Sequence, residues 1–251
     1  MSLLADRTAV VTGGASGIGR AVALAFADHG ADVVVADLRE RPRRGGEPTH
    51  ELARERGVDA QYVDCDVSDP ADVDRALAAA DALGGLDVWV NNAGVFAMTD
   101  GADGSGTTVA DVFDVNVRGT YDCTARAGRR LADSGGGSVI NVGSTSGLRG
   151  GADGVIAAYC ASKAAIHQFT RAFARSFGDG GVRVNAVAPG AVDTALARDR
   201  TESEREALAA EIPVGRMADP ADVAGACVFL ASDLAAYVTG EVLVVDGGLT
   251  V

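Results

Sequence analysis

Short apolar runs alternate with longer segments of helical periodicity along this chain. The runs are rich in β-branched residues and are apolar on both faces, as expected of strands covered by helices on either side. They lie at residues 8–12, 31–37, 61–66, 86–91, 137–142, 182–187 and 241–246, and the candidate helices lie at 17–29, 69–83, 107–133, 157–178 and 220–231. Connections of this length allow crossovers between parallel strands, so the pattern predicts an α/β fold with a doubly wound parallel sheet in three layers. No break in composition divides residues 1–251, which predicts a single domain.

A glycine-rich turn, TGGASGIG, follows the first strand and opens the first helix. Because Gly13, Gly17 and Gly19 carry no Cβ, the backbone amides and the helix N-terminus can approach a phosphate group. The spacing is G-x-x-x-G-x-G, which differs from the common fingerprint G-x-G-x-x-G. A strand before the turn, an amphipathic helix after it and Asp37 at the end of the next strand complete a Rossmann-type dinucleotide-binding pattern.

Asp37 also bears on the choice of cofactor. A carboxylate at this position can accept hydrogen bonds from the ribose hydroxyls of an adenosine. A 2′-phosphate about 4 Å away would be repelled by several kcal/mol at an effective dielectric constant near 20. The sequence therefore predicts NAD as the cofactor. NADP stays the less favoured alternative, since the nearby Arg39 could pair with a 2′-phosphate.

A tyrosine and a lysine stand four residues apart in YCASK, inside an alanine-rich helical segment. Tyr159 and Lys163 therefore share one face of the helix, and that face continues as an apolar stripe directed to the interior. Burial of an ammonium is costly unless the group is paired, so a cofactor ribose beside Lys163 is a reasonable partner. A cation within about 4 to 6 Å lowers a tyrosine pKa by roughly 1 to 3 units, which suggests that Tyr159 acts as an acid and base.

Charge and composition exclude several classes of partner. The chain has 22 basic and 35 acidic residues, a net charge of -13, which disfavours nucleic acid and anionic membranes. No basic leader is present, and no apolar run approaches the roughly 20 residues that span a bilayer. Four scattered cysteines without a CxxC motif and three distant histidines predict reduced thiols, a cytoplasmic location and no metal site.

These motifs together resemble the short-chain dehydrogenase/reductase family, in its compact branch. TGGASGIG, NNAG, DVNVRG, NVGSTSG, YCASK, PG and VVDGG occur in the order and approximate spacing of that family over nearly the whole chain. One departure is the interval of 15 between Ser144 and Tyr159, which is longer than is common and places extra residues in the loop LRGGADG. The contribution of that loop to the substrate pocket therefore stays open.

The resemblance implies roles for individual residues. Tyr159 would be the acid/base, Lys163 would adjust its pKa and bind the ribose, Ser144 would hold the substrate oxygen and Asn116 would hold a water that links Lys163 to solvent. The further cofactor contacts that it implies are Ser16, Ile18, Asp66, Val67, Asn92, Ala93, Gly94, Pro189, Gly190, Val192 and Thr194. A homo-oligomer, either tetramer or dimer, is usual for such proteins.

The predicted activity is hydride transfer between NAD(H) and a secondary alcohol or ketone. A charged segment near 193–215 is predicted to form a lid over the substrate. Phe96, Met98, Leu148 and Leu196 are candidates for an apolar or mixed pocket. The segments 39–48 and 99–106 are predicted to be surface loops.

Three alternatives remain open from the sequence. A 3-oxoacyl-carrier-protein reductase is possible within the family, although the net charge of -13 disfavours an acidic carrier. A non-catalytic NAD-binding regulator would not need the Tyr159/Lys163 pair. A non-redox enzyme, such as a dehalogenase-like lyase, would not need the glycine turn.

Overall fold

A seven-stranded, wholly parallel sheet forms the centre of the molecule. The computed structural model describes residues 2–98, 106–150, 155–194 and 201–251. The strands are β1 (Thr8–Thr12), β2 (Asp32–Asp37), β3 (Ala60–Asp64), β4 (Val88–Asn91), β5 (Gly137–Val142), β6 (Val182–Pro189) and β7 (Val242–Val245). Their order in the sheet is β3-β2-β1-β4-β5-β6-β7. The order reverses between β1 and β4, which is where ligands of doubly wound folds bind, at the carboxyl ends of the strands.

Helices cover both faces of this sheet. They are α1 (Gly17–Asp28), α2 (Thr49–Arg54), α3 (Pro70–Ala82), α4 (Val109–Phe113), α5 (Thr120–Asp133), α6 (Ala157–Phe177), α7 (Glu202–Glu211) and α8 (Pro220–Ala231). The helices α1 and α8 pack together on one face, while α3, α5 and α6 lie on the other. The predicted three-layer, doubly wound α/β fold is therefore confirmed.

The seven predicted strands are all present, with ends displaced by a few residues at most. The predicted helix over 107–133 is instead three consecutive pieces, because a π-helix (Asp114–Gly119) separates α4 from α5. The helix α2 was not predicted; it has only six residues, too few for a clear periodicity.

Two apolar cores lie on the two faces of the sheet. The core under α1 and α8 includes Phe26 and Leu230, and the core under α3 and α5 includes Trp89 and Leu131. Each of these four side chains is fully buried. Because both cores are closed around the central strands, the strand ends are held rigidly, as a binding site at the sheet edge requires.

Within the described ranges, no helix has both the length and the apolar character needed to cross a membrane. The four cysteines are all free thiols. The same part of the chain contains no cluster of three or more His, Cys, Asp or Glu side chains that could hold a metal ion.

Candidate active site

The glycine turn between β1 and α1 has the geometry that only glycine permits. Gly13 and Gly17 adopt positive φ angles of 62° and 54°. A Cβ on Gly19 would lie 2.3 Å from the carbonyl oxygen of Gly13 and 2.3 Å from Nδ2 of Asn92. The turn is therefore folded too tightly for side chains, and the first amides of α1 stay open to an anionic group.

Thr12 and Asn92 lock this turn to the end of β4. The amide of Asn92 and the amide of Ala93 both donate to Oγ1 of Thr12, at 3.0 and 3.1 Å. Nδ2 of Asn92 donates to the carbonyl oxygens of Thr12 and Gly13, at 2.9 and 3.1 Å. Asn92 and Ala93 thus lie next to the glycine turn. The contribution of Thr12 was missed in the sequence, because its only signal there is its place at the end of a buried strand.

Asp37 lies at the carboxyl end of β2, facing the glycine turn. Its Oδ2 accepts a hydrogen bond from the amide of Ala15 at 3.0 Å, and its Oδ1 accepts one from the amide of Arg39 at 3.1 Å. Burial raises the pKa of this carboxyl group, and the two amides together with the Arg43 and Arg39 guanidinium groups oppose that rise. The two hydrogen bonds thus hold the carboxylate beside the glycine turn, where the sequence predicts an adenosine ribose.

Residues 39–48, here called the strap, were predicted to be a surface loop, and they are largely exposed. They nevertheless make specific contacts with the glycine turn. The amide of Arg43 donates to Oγ of Ser16 at 2.9 Å, and the guanidinium of Arg20 on α1 donates to the carbonyl oxygen of Glu47 at 2.8 Å. The strap therefore lies against the start of α1.

The strap also reaches the opposite side of the cleft, after β6. The guanidinium of Arg44 donates to Oδ1 of Asp193 at 2.8 Å and to the carbonyl oxygen of Thr194 at 3.0 Å. Oδ2 of Asp193 pairs with Arg205 of α7 at 3.3 Å, and Arg44 is the largest cause of a lowered Asp193 pKa. Asp193 thus joins the strap to the helix within the predicted lid.

The predicted catalytic side chains come together beside the carboxyl end of β5. A side-chain hydrogen bond joins Ser144 to Tyr159. Nζ of Lys163 lies 5.6 Å from the centre of the Tyr159 ring and donates to the carbonyl oxygen of Val142 at 2.9 Å. Phe96 packs edge-on against Tyr159, with ring centres 5.1 Å apart.

Titration of this pair differs from the sequence-based expectation. Burial raises the pKa of Tyr159 to about 12, although the hydrogen bond from Ser144 opposes the rise. Burial also lowers the pKa of Lys163 to about 8. In the chain without cofactor, desolvation therefore outweighs the attraction between the ammonium and the phenolate, and a lowered tyrosine pKa requires further positive charge.

Lys163 is the only lysine in the 251-residue sequence; the other 21 basic residues counted in the charge are arginines. This residue is 5% exposed, and within the described part of the chain its ammonium makes one hydrogen bond, to the carbonyl oxygen of Val142. An ammonium with one hydrogen bond has donors to spare, which fits hydroxyl groups of a ligand at this position.

Asn116 lies in the π-helix, next to Lys163. Its Oδ1 accepts from the amide of Val95 at 2.9 Å, and its Nδ2 donates to the carbonyl oxygen of Val95 and to Oγ of Ser162. A Cβ on Gly94 would lie 3.1 Å from Oδ1 of Asn116 and 3.7 Å from Nζ of Lys163, so these groups are neighbours. Both protons of Nδ2 are used in these bonds, whereas Oδ1 accepts one and keeps a second lone pair.

The other predicted cofactor residues line the same edge. Asp66 follows β3, and its Oδ1 accepts from the amide and hydroxyl of Ser68. Val67 packs against Gly119 of the π-helix, where a Cβ would approach within 3.1 Å. Four more predicted cofactor residues lie at or after the end of β6, namely Pro189, Gly190, Val192 and Thr194, and Ile18 lies at the start of α1.

The end of β6 approaches the glycine turn closely. The side chain of Thr194 lies 3.5 Å from the position of a Cβ on Gly17. Val192 forms a parallel bridge with Ala218, and the amide of Gly190 donates to the carbonyl oxygen of Val245 at 3.1 Å. These contacts define the second wall of the cofactor cleft.

An open cleft of about 260 Å³ lies beside the Ser144 turn. It is lined by Thr145, Ser146, Arg149, Gly150, Ile156, Glu211, Leu249 and Thr250. Leu148, a predicted pocket residue, is half exposed nearby, and Phe96 touches Tyr159 as described. The predicted pocket residue Leu196, most of the predicted loop 99–106 and part of the predicted lid lie outside the described residues.

The cleft fits a nicotinamide dinucleotide. The Cβ-free cradle at Gly13, Gly17 and Gly19 suits a pyrophosphate, and the carboxylate of Asp37 suits a ribose. At the other end, the buried ammonium of Lys163, with donors to spare, lies 5.6 Å from the ring centre of Tyr159. This arrangement defines a nucleotide-dependent oxidoreductase site.

Comparison with known proteins gives the same class. The family model described as enoyl-(acyl carrier protein) reductase matches residues 13–250. The chain is 40% identical to cis-4-hydroxycyclohexanecarboxylate dehydrogenase of Sinomonas cyclohexanicum, over 98% of this chain and 97% of that one. It is 39% identical to 2,5-dichloro-2,5-cyclohexadiene-1,4-diol dehydrogenase of Sphingobium indicum, over 99% and 98%.

A solved structure agrees with these relatives. A short-chain type dehydrogenase/reductase from Mycobacterium marinum superposes with a TM-score of 0.88 at 34% identity, over 98% of this chain and 96% of that one. The chain belongs to the short-chain dehydrogenase/reductase family. It is an oxidoreductase that transfers a hydride between a nicotinamide cofactor and a secondary alcohol or its ketone.

Proposed function

We propose that Tyr159, Lys163 and Ser144 carry the reaction and that NAD(H) is the cofactor. The observation that supports this most directly is the cluster itself: the tyrosine hydroxyl, its Ser144 partner and the chain's single lysine lie at one strand end. When bound, the oxidised nicotinamide accepts the hydride from the alcohol carbon. Tyr159 takes the hydroxyl proton in that direction and returns it in the reverse one.

Each of the other side chains has a distinct task. Ser144 holds the substrate oxygen against the tyrosine hydroxyl. Its Oγ accepts the amide of Ser146, and its proton, which without substrate is directed to Tyr159, is donated to the substrate oxygen instead. Lys163 supplies positive charge that favours the phenolate, and binds ribose hydroxyls with its remaining donors. Asn116 holds the water through which Lys163 exchanges protons with solvent.

The test of these roles is Tyr159→Phe, which removes the proton carrier and leaves the ring contact with Phe96. We expect turnover to fall at least a hundredfold while NADH still binds, as followed by the fluorescence of the bound cofactor. Ser144→Ala should lower turnover with little change in NADH binding. Near-normal turnover of Tyr159→Phe would exclude the assignment.

NAD is proposed over NADP because of Asp37. The carboxylate is anchored by two backbone amides and cannot easily turn away from a 2′-phosphate. Repulsion of several kcal/mol at an effective dielectric constant near 20 corresponds to a preference of a hundredfold or more. The preference is measured as the ratio of kcat/KM for NAD to that for NADP, in the native chain and in Asp37→Ser. A native preference for NADP would overturn the proposal.

The proposed substrate is a secondary alcohol carried on a small ring. Two of the relatives act, by their names, on a hydroxycyclohexane carboxylate and on a cyclohexadiene diol. Phe96 offers a flat apolar face next to Tyr159, and the neighbouring cleft adds hydroxyl groups and Arg149. A screen of cyclohexanols, cyclohexanediols and their ketones, with linear alcohols as the comparison, tests this class by NADH absorbance.

The second candidate is reduction of an acyl chain, at its 3-keto group or its double bond, while the chain is held as a thioester on acyl carrier protein. The matched family model carries that description, and the sequence allowed a 3-oxoacyl-carrier-protein reductase. A net charge of -13 disfavours an acidic carrier. Acetoacetyl and crotonyl carrier-protein substrates should therefore be reduced more slowly than cyclic ketones; the opposite ranking would favour this candidate.

We also propose a homo-oligomer, tetramer or dimer, in the cytoplasm. Tyr121 on α5 is half exposed although it packs against Phe169 and Phe173 of α6, so an aromatic surface extends across these two helices. The free thiols support a reducing compartment. Light scattering of the native chain and of Tyr121→Asp measures the oligomeric state and tests the surface.

A further inference from the structure

His167 is a buried histidine whose placement calls for an explanation. It follows Lys163 by one helical turn on α6, so the two side chains leave the same face of the helix. It is 2% exposed, and neither ring nitrogen has a hydrogen-bond partner among the residues that the structure describes. A buried polar group without a partner costs roughly 1 to 3 kcal/mol, so this ring is retained against a stability cost.

The ring fills space left by two glycines on either side of Ser144. A Cβ on Gly143 would lie 2.3 Å from Nε2 of His167 and 2.7 Å from Cδ2. A Cβ on Gly147 would lie 2.9 Å from Cε1. The backbone of the turn that carries the Ser144 hydroxyl therefore rests directly on the imidazole ring.

The two glycines differ in what excludes a side chain. A Cβ on Gly147 would also lie 2.6 Å from the backbone carbon of Lys163, so α6 itself demands glycine there. At Gly143 the next obstacle after the ring is the carbonyl oxygen of Val187 at 3.2 Å, which is tight but not prohibitive. Gly143 has no positive φ, so its requirement is for space beside His167.

Two side chains on one face of α6 thus contact two consecutive residues at the carboxyl end of β5. Lys163 donates to the carbonyl oxygen of Val142, and His167 packs against Gly143, the residue just before Ser144. Burial lowers the pKa of His167 to about 4, so the ring stays neutral at physiological pH and adds no charge next to the ammonium of Lys163.

We propose that His167 is a positioning residue: its ring sets the place of the Ser144 hydroxyl relative to Tyr159 through direct contact with Gly143. The inference rests on the proposed roles of Ser144 and Tyr159. The proposal requires that a histidine at position 167 be accompanied by a glycine at position 143, because the ring occupies the space that a side chain at 143 would need. An alanine at 143 would push the turn away from Tyr159 unless the ring were also removed.

The test is a double-mutant cycle of Gly143→Ala and His167→Ala, with kcat, KM for substrate and NADH affinity measured for each variant. Gly143→Ala should lose about a hundredfold in kcat, since a displacement of about 1 Å of a catalytic group costs that much, while NADH affinity changes less than threefold. His167→Ala alone should lose about tenfold. The double variant should regain activity to within about threefold of His167→Ala.

A matched control is Gly225→Ala on α8, where a Cβ meets nothing within 4 Å. It should leave kcat unchanged and should not lower the melting temperature, since alanine is the better helix former at this open position. An additive cycle, or a Gly143→Ala variant with wild-type kcat, overturns the inference. If Gly143→Ala does not fold, recovery of folded, active protein in the double variant supports it, and failure of the double variant while His167→Ala keeps wild-type kcat overturns it.

Failure of this inference is distinguishable from failure of the proposed function. An inactive Tyr159→Phe with an additive cycle removes only the role of His167. An active Tyr159→Phe removes the proposed roles of Tyr159 and Ser144, whatever the cycle gives.

Discussion

Lys163 should be a net cost to stability, and Lys163→Met should therefore stabilise the chain without cofactor while it abolishes turnover. Methionine is unbranched and of similar length, so it can occupy the same buried space. The substitution removes one stabilising interaction, the hydrogen bond from Lys163 to the carbonyl oxygen of Val142. The substitution also removes the free-energy cost of burying a charged ammonium at a residue that is only 5% exposed.

The size of this gain follows from the lysine pKa. Its value falls from 10.5 to about 8 on folding, and each unit corresponds to 1.36 kcal/mol, so the cost is about 3 kcal/mol at pH 7. The unfolded chain binds more protons than the folded chain between these two values, so the stability of the native protein rises with pH there. The penalty is complete below pH 8 and is lost as the pH approaches 10.5.

Urea unfolding of both proteins at fixed concentration, at pH 7 and pH 10, measures the difference. Lys163→Met should be more stable by about 1 to 3 kcal/mol at pH 7 once the lost hydrogen bond is subtracted, and the difference should shrink to less than about 1 kcal/mol at pH 10. Lys163→Arg, which stays charged, should show no gain.

The same reasoning can be checked without a mutation. Because the sequence has one lysine, lysine labelled with ¹³C at Cε gives a single signal, and its titration reads the pKa directly. An inflection near pH 8 is expected without cofactor. An inflection above pH 10, or a Lys163→Met variant less stable than the native chain at pH 7 and at pH 10 alike, would refute the argument.

Three further predictions concern the cofactor cleft. Gly19→Ala should weaken NADH binding at least a hundredfold in a fluorescence titration, because its Cβ would meet the Gly13 carbonyl oxygen at 2.3 Å; unchanged affinity would contradict the tight turn. Thr12→Val should cost about 2 to 4 kcal/mol in urea unfolding because the amides of Asn92 and Ala93 lose their acceptor, whereas Thr12→Ser should cost less than about 1 kcal/mol. Asp193→Asn should weaken the tie between the strap and α7 and speed NADH release in stopped flow, and added salt should reduce the difference from the native chain.

The sheet could be predicted from the sequence because buried parallel strands are apolar on both faces, and seven such runs stand clear of their polar surroundings. The closeness of Tyr159 and Lys163 could be predicted because they lie four residues apart on one helix, whereas Ser144 was singled out among its neighbours through the family resemblance. The π-helix could not, because its extra residue per turn leaves no distinct apolar pattern. The contacts of Thr12 and Arg44 join segments 80 and 150 residues apart in sequence, a relation that only the packed chain creates.

The pKa of Tyr159 shows a different limit. The sequence gives the partner four residues away but not the depth of burial, and burial decides the sign of the shift here. Lys163 alone therefore does not lower the pKa of Tyr159, and a lowered pKa requires a further positive charge supplied by the ligand.

The single lysine has a practical consequence for following the dynamics of the site. Endoproteinase Lys-C cleaves after lysine, so in these 251 residues it has one target bond, between Lys163 and Ala164 in the middle of α6. Cleavage there requires α6 to open, and the rate at which the two fragments appear reports the population of states, locally or globally unfolded, in which α6 is open. Digestion with this single-site protease therefore measures the stability of α6, the helix that carries Tyr159 and Lys163.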